Sequence, residues 1–219
     1  TLPENVTYIG DEAFSDNQLA NITIPNGITE IGYRAFKNNL LASITIPTSV
    51  TIIRGSAFAN NLLTSVTIPD SVASVGNEAF GDNQLTSVTI PNKSISYGSG
   101  VFKRNQIAEF TIPPTMINIP PNFLNENQLT SIIIPESVRR IDEQAFANNE
   151  LISVILPDSL IIFGSYVFYG NQLTNFDLPE YLTSVPSGFV ANNKLTSVTI
   201  PNSVTNIEVG AFGYNQLTS

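Results

Sequence analysis

Carboxylates are the side chains in this chain best suited to moving protons or holding a cation. It carries 18 Asp and Glu among 219 residues, with no His and no Cys. Their spacing supports neither task. The adjacent pairs Asp11-Glu12 and Asp142-Glu143 fall in a variable turn ahead of Ala-Phe, where an acidic residue is favoured by the backbone dipoles alone. The alternating Asp/Asn positions of a calcium loop do not occur. Lacking His and Cys, the chain has no histidine base, no thiol nucleophile and none of the commonest zinc ligands. It also has no phosphate loop and no dinucleotide fingerprint. Asn5, Asn21 and Asn92 each open an Asn-x-Ser/Thr triplet, a match that an Asn- and Thr-rich chain produces by chance. The expectation is a protein that is not an enzyme and takes no cofactor or metal.

Another polar group recurs at a fixed interval. Asparagine stands at Asn17, Asn39, Asn61, Asn83, Asn105, Asn127, Asn149, Asn171, Asn193 and Asn215, always 22 residues apart. A proline precedes each by 14 residues, from Pro3 to Pro201. Two residues after the asparagine comes leucine, or Ile107 once. No insertion breaks the phase, so residues 1–219 read as one continuous array of ten stacked 22-residue repeats.

Residues 63–84 show what one repeat must do. Ser65-Val66-Thr67-Ile68 alternates polar and apolar, the period-2 signal of a strand with Leu63, Val66 and Ile68 inward and Ser65 and Thr67 outward. Pro69 ends the strand because it has no N–H to donate. Val72 and Val75, followed by Gly76, predict a short second strand or extended segment. Asn77-Glu78-Ala79-Phe80 predicts one turn of 3₁₀ or α-helix, with Phe80 filling the core. Asn83 closes the coil. An inward amide offers two donors and an acceptor, so it can satisfy the backbone groups a corner leaves unpaired and bridge to the adjoining coil.

Departures from the repeat mark candidate sites. In two repeats the glycine becomes proline while Ala-Phe becomes Phe-aliphatic, at Pro120…Phe123-Leu124 and Pro186…Phe189-Val190. That change reads as compensated packing at roughly constant core volume. The outward strand positions are mostly Ser, Thr or Asn, as in Ser65 and Thr67. They change in mid-chain to Glu109 and Thr111, Ser131 and Ile133, Ser153 and Ile155, and Asn175 and Asp177. Two exposed isoleucines flanked by carboxylates are the signature of an interaction patch, and these eight residues are the candidate partner-binding set. Drift on a tolerant face is the other reading. Tyr166 and Tyr169 fall at variable surface positions in the same half, whereas Tyr97 takes an inward aliphatic slot.

A net charge of −9 argues against nucleic acid, since the nine basic residues form no stripe. No apolar run approaches the ~20 residues of a membrane span, so direct insertion is not expected. The chain opens without methionine at Thr1 and stops in mid-repeat at Ser219, which reads as a piece of a longer protein.

The unit Leu-x-x-Val/Ile-x-Ile-Pro-x-x-Val-x-x-Ile-Gly-x-x-Ala-Phe-x-x-Asn resembles the BspA-like leucine-rich repeats of bacterial and protist surface proteins. Many of those repeats carry cysteine where this chain has asparagine. The resemblance implies a right-handed leucine-rich-repeat solenoid, with a parallel β-sheet on one side and short extended segments and 3₁₀ or helical turns on the other. It also implies a cell-surface or extracellular adhesion module that binds a protein such as a host matrix component, although no binding residue transfers from the family. A structural spacer projecting another domain is the alternative. Binding of the regular threonine rows to ice or crystalline polysaccharide is a minor one.

Overall fold

The computed structural model describes residues 2–219 as two compact units, one ending at Ile107 and the other starting at Ala108. Both are parallel β-solenoids. The first unit contains β1 (Glu30–Ile31), β2 (Ile52–Ile53), β3 (Ser65–Thr67), β4 (Ser74–Val75), β5 (Ser87–Thr89) and β6 (Ser96–Tyr97). The second contains β7 (Asn118–Ile119), β8 (Ser131–Ile133), β9 (Arg140–Ile141), β10 (Ser153–Ile155), β11 (Ile162–Phe163), β12 (Ser184–Val185) and β13 (Asn206–Ile207). Every strand pair is parallel, and every register step is one repeat, as in Ile52↔Ser74 and Ile155↔Ile133.

The inward set read from residues 63–84 is correct: Leu63, Val66, Ile68, Val72, Val75 and Phe80 are all buried, while Ser65 and Thr67 face out. The ten repeats make about eight full turns. From Phe36 to Phe189 each repeat contributes one fully buried phenylalanine, whereas Phe14 and Phe212 in the first and last repeats are only half-buried. A coil with a neighbour on one side buries less.

The strands are distributed differently from the expectation. The Ser-x-Thr segments pair only as β3–β5 and β8–β10, while the return segments build a four-stranded sheet β1-β2-β4-β6 and a three-stranded sheet β7-β9-β11, with β12 pairing β13. Proline just past each Ser-x-Thr segment removes a donor and keeps it short.

Where the spacing predicts one helical turn, the chain makes two consecutive β-turns. In residues 76–81 the Ala79 N–H donates to Gly76 O at 3.3 Å, and the Gly81 N–H donates to Glu78 O at 3.0 Å. Each repeat places two residues in the left-handed region, here Glu78 (φ 56°) and Asp82 (φ 56°). That conformation turns their N–H groups along the stack: Glu78 N donates to Ser99 O (2.8 Å) and Asp82 N to Lys103 O (3.0 Å). The added inter-coil bonds offset the ~1–2 kcal/mol that a non-glycine residue loses there. A helix would direct those N–H groups back into its own coil.

Coils approach closely at the end of the return strand. A Cβ on Gly164 would lie 2.3 Å from Glu143 N and 2.7 Å from Asp142 C. Gly32, Gly76 and Gly98 approach the preceding coil as closely at the same repeat position, whereas five other repeats carry a side chain there, Arg54 and Asp142 among them, so the close approach belongs to certain glycine coils and not to the repeat in general. Gly164→Ala is expected to destabilise by about 1–3 kcal/mol through overpacking. Gly81→Ala, whose Cβ would meet nothing nearer than 3.4 Å, should be neutral or slightly stabilising. Thermal unfolding of the two variants side by side checks the difference.

Candidate functional site

The outward strand residues of the second unit are where the sequence departs from Ser/Thr, and there the structure forms a groove of about 580 Å³. It lies between the coil carrying β10 and the coil that follows. Alternation along β10 leaves Val154 half-buried and turns Ser153 and Ile155 outward. Parallel pairing with β8 sets Ser131 beside Ser153 and Ile133 beside Ile155. The two isoleucines are 65% and 60% exposed, so they form a contiguous aliphatic stripe facing solvent.

Ser153, Ile155, Asn175 and Asp177 line the groove, together with Asp158, Glu180 and Tyr181. Of the eight residues predicted from sequence, four therefore line it. Ser131 and Ile133 extend it along the sheet. Glu109 and Thr111 are exposed but are not among the lining residues. Asp158, Glu180 and Tyr181 follow Pro157 and Pro179 directly, a position outside the strand pattern that the sequence reading followed. The available signal was an acidic residue after proline in consecutive coils, Asp158 in the coil of Ile155 and Glu180 in the next.

The floor is rigid. Phe176 is buried beneath the groove, with its ring centroid 5.5 Å from Phe189 (edge-on) and 5.4 Å from Phe168 (tilted). Phe163 meets Phe189 at 4.9 Å. Edge and tilted contacts of this kind hold neighbouring rings in place. At the rim, partial burial and then the nearby Asp158 carboxylate raise the Tyr181 phenol above its ordinary pKa. The hydroxyl therefore remains a neutral donor through neutral pH. The aromatic swap also corrects an expectation. Phe110 and Phe176 replace the strand Val or Ile in the same two repeats that carry Phe123 and Phe189, so core volume grows where constant volume was expected.

Three carboxylates and one phenol can accept hydrogen bonds, attract cationic groups and donate once. Among the described residues, no cluster of three or more His, Cys, Asp or Glu could hold a metal ion. No helix among them is long and apolar enough to cross a membrane. A smaller hollow in the first unit, about 350 Å³, is lined by Asp11, Tyr33 and Arg54 among others. Its charged groups are engaged already: Asp11 accepts from Tyr33 N at 2.7 Å, and Arg54 is paired with Glu30.

The asparagines act as the corner requires. Asn61 Nδ2 donates to Phe58 O of its own coil (3.2 Å) and to Phe36 O of the preceding one (2.9 Å). Its Oδ1 accepts from Leu41 N at 3.1 Å. The same set recurs at Asn83, Asn149, Asn171 and Asn193. These amides are consumed by architecture.

A family model described as "BspA type leucine rich repeat region (6 copies)" matches residues 1–106 and 95–219. No curated protein matches the chain. Among solved structures, YopM from Yersinia enterocolitica is 20% identical with a TM-score of 0.64, over 100% of this chain and 44% of its own. A leucine-rich repeat protein from Bacteroides ovatus is 21% identical with a TM-score of 0.64, over 97% of this chain and 69% of its own. A leucine-rich cell surface protein from Faecalibacterium prausnitzii is 26% identical with a TM-score of 0.52, over 96% of this chain and 56% of its own. The chain thus spans less than half the length of the Yersinia protein.

Proposed function

The chain belongs to the BspA-type leucine-rich repeat family, and from that premise we propose that it is a non-enzymatic adhesion module of an exported protein that docks a protein partner on the strand face of its second unit. The observation that carries this reading is the exposed pair Ile133 and Ile155, held in register on β8 and β10 beside the groove bearing Asp158, Asp177 and Glu180. Apolar surface with a charged rim and an adjacent tyrosine is the composition of a docking hot spot. The partner chemistry that fits is a segment combining Lys or Arg with an aliphatic anchor. The likeness to the Faecalibacterium cell surface protein supports a surface location.

The strand face of the first unit supports a spacer role for that part. Its outward residues, such as Ser43, Thr45, Ser65, Thr67, Ser87 and Thr89, are small and hydroxylated, with no exposed aliphatic pair.

The double variant Ile133→Asp/Ile155→Asp tests the reading. Both side chains face solvent, so the fold should be kept. Loss of two anchors at ~1–2 kcal/mol each should weaken binding by roughly tenfold or more. Labelled wild type and variant are titrated against immobilised extracellular matrix proteins and intact host cells. Equal binding by both chains rejects the patch, and no binding by wild type to any of them rejects the adhesion role.

A further inference from the structure

On the return strands of the same coils, β7, β9 and β11 present a second patch of inverse charge. Outward on these return strands lie Asn118, Arg140 and Ile162 in one row, and Ile117, Arg139 and Ile161 immediately before them in the next. Ile117, Ile161 and Ile162 are 57%, 67% and 45% exposed, aliphatic surface that neither the core nor the groove uses. Arg139 Nη1 donates to Glu136 O at 2.6 Å and to Val138 O at 3.2 Å, and it makes no ion pair among the described residues. Arg140 Nε donates to Asp142 Oδ1 at 2.5 Å, which leaves the rest of its guanidinium outward. In a chain of net charge −9, two adjacent arginines between exposed isoleucines are the local exception.

We infer that this arginine–isoleucine face docks into the acidic groove of a second copy of the chain. The inference rests on the reading of that groove as a docking surface and names one occupant for it. Charge complementarity carries it: Arg139 and Arg140 on one face, Asp158, Asp177 and Glu180 on the other, each beside exposed isoleucine. The geometry agrees. Both faces belong to parallel ladders of the same coils, so both repeat at the rung spacing of ~4.8 Å. In the groove, Ile155 shares its coil with Asp158, Ile133 lies one coil before, and Asp177 and Glu180 lie one coil after. On the return face, the isoleucines occupy rungs next to the arginine pair. One alignment along the axis therefore matches aliphatic with aliphatic and Arg with Asp or Glu together. The two patches are different surfaces of the coil that adjoin at Tyr181, which lines both the groove and the hollow holding Ile161 and Ile162, so docking one on the other is heterologous. The contact is small and charge-assisted, hence weak and salt-sensitive.

Sedimentation velocity on the full chain tests the inference, from about 5 to about 300 μM, in the range where a weak contact of this type populates. Wild type should show a weight-average sedimentation coefficient that rises with concentration at low salt and falls back on adding ~0.5 M NaCl. Arg139→Glu/Arg140→Glu should abolish the rise, and so should Asp158→Lys/Asp177→Lys. An equimolar mixture of the two variants should restore it, because each then carries the face the other needs. A wild type that stays monomeric throughout, variants that associate like wild type, or a mixture that stays monomeric overturns the inference. If the glutamate variant unfolds, the milder Arg139→Gln/Arg140→Gln replaces it, with the same expected loss. The groove is checked separately with a synthetic peptide of alternating arginine and isoleucine, added to the arginine-substituted chain. Peptide binding that depends on Ile155, in a protein whose wild type does not self-associate, overturns this inference alone. Failure of both overturns the groove as well.

Discussion

Asn61→Leu is expected to destabilise the first unit by about 3–5 kcal/mol, although it exchanges one side chain for another of similar size. The substitution strands one buried backbone group and takes a hydrogen bond from two more. Leu41 N–H loses its acceptor, and Phe36 O and Phe58 O lose the amide that bridges them, keeping only Asn39 Nδ2 (3.2 Å) and Asn83 Nδ2 (2.9 Å) respectively. A buried donor or acceptor left without a partner loses about 1–3 kcal/mol, and this corner is buried, with Asn61 only 4% exposed. The added aliphatic burial, at roughly 25 cal/mol per Å², recovers only part of this. Asn17→Leu is the control. Asn17 is exposed and donates only within its own coil, to Phe14 O (3.2 Å) and Ser15 O (2.9 Å), so its replacement should lose about 1 kcal/mol or less. At roughly 2–4 °C per kcal/mol, the Asn61 variant should melt about 10 °C lower and the Asn17 variant within a few degrees of wild type. Equal melting temperatures would show that the amides are not what joins one coil to the next.

The contrast between those two asparagines shows which parts of the fold were legible in the sequence. Period, inward positions and the amide corner were all readable, because each is a requirement repeated in every coil. Val66, Phe80 and Asn83 have counterparts 22 residues away throughout. The form of the turn was misread. Asn77-Glu78-Ala79-Phe80 looks like the start of a helix when each coil is considered alone. The residue just before the ladder asparagine nevertheless carried the correct signal: Asp16, Asn38, Asn60, Asp82, Asn148, Gly170 and Asn192 are the residue types that tolerate a left-handed backbone, and all have positive φ. In a solenoid such residues mark N–H groups turned toward the neighbouring coil. Half of the candidate site was also legible, since the strand positions Ser153, Ile155, Asn175 and Asp177 follow from alternation. Asp158, Glu180 and Tyr181 reach the groove from the post-proline bend, and period-2 reasoning stops at the proline.

The aromatic coils raise a separate point about specificity, because a repeat protein must keep neighbouring coils compatible even where one differs. In most coils the strand contributes Val or Ile and the turn contributes Ala-Phe, and the rings stack in file, as with Phe36 and Phe58 at 5.4 Å and 8°. The coil holding Phe176 has Phe189 in the alanine slot and Val190 in the phenylalanine slot. Its rings meet edge-on, Phe176 to Phe189 at 5.5 Å and 89°. Phe110 and Phe123 repeat the arrangement at 5.7 Å and 89°. The three positions should therefore behave as one unit. Phe176→Val alone leaves a void beneath the groove and should lose about 2–4 kcal/mol. Phe189→Ala/Val190→Phe returns the ring to the file position while Phe176 still leans against Phe168 at 5.4 Å, and overpacking there should lose a further 1–3 kcal/mol beyond the emptied slot. The triple variant rebuilds the ordinary coil and should recover to within about 1 kcal/mol of wild type, a coupling well above the ~0.5 kcal/mol expected of independent sites. Denaturant unfolding of all three variants measures it. If the triple variant loses the sum of the separate losses, the rings act independently and the edge-on file is incidental. If it recovers stability yet loses partner binding at the groove above, then the rearranged aromatics hold the groove floor, and the departure from the repeat in this coil serves function as well as packing.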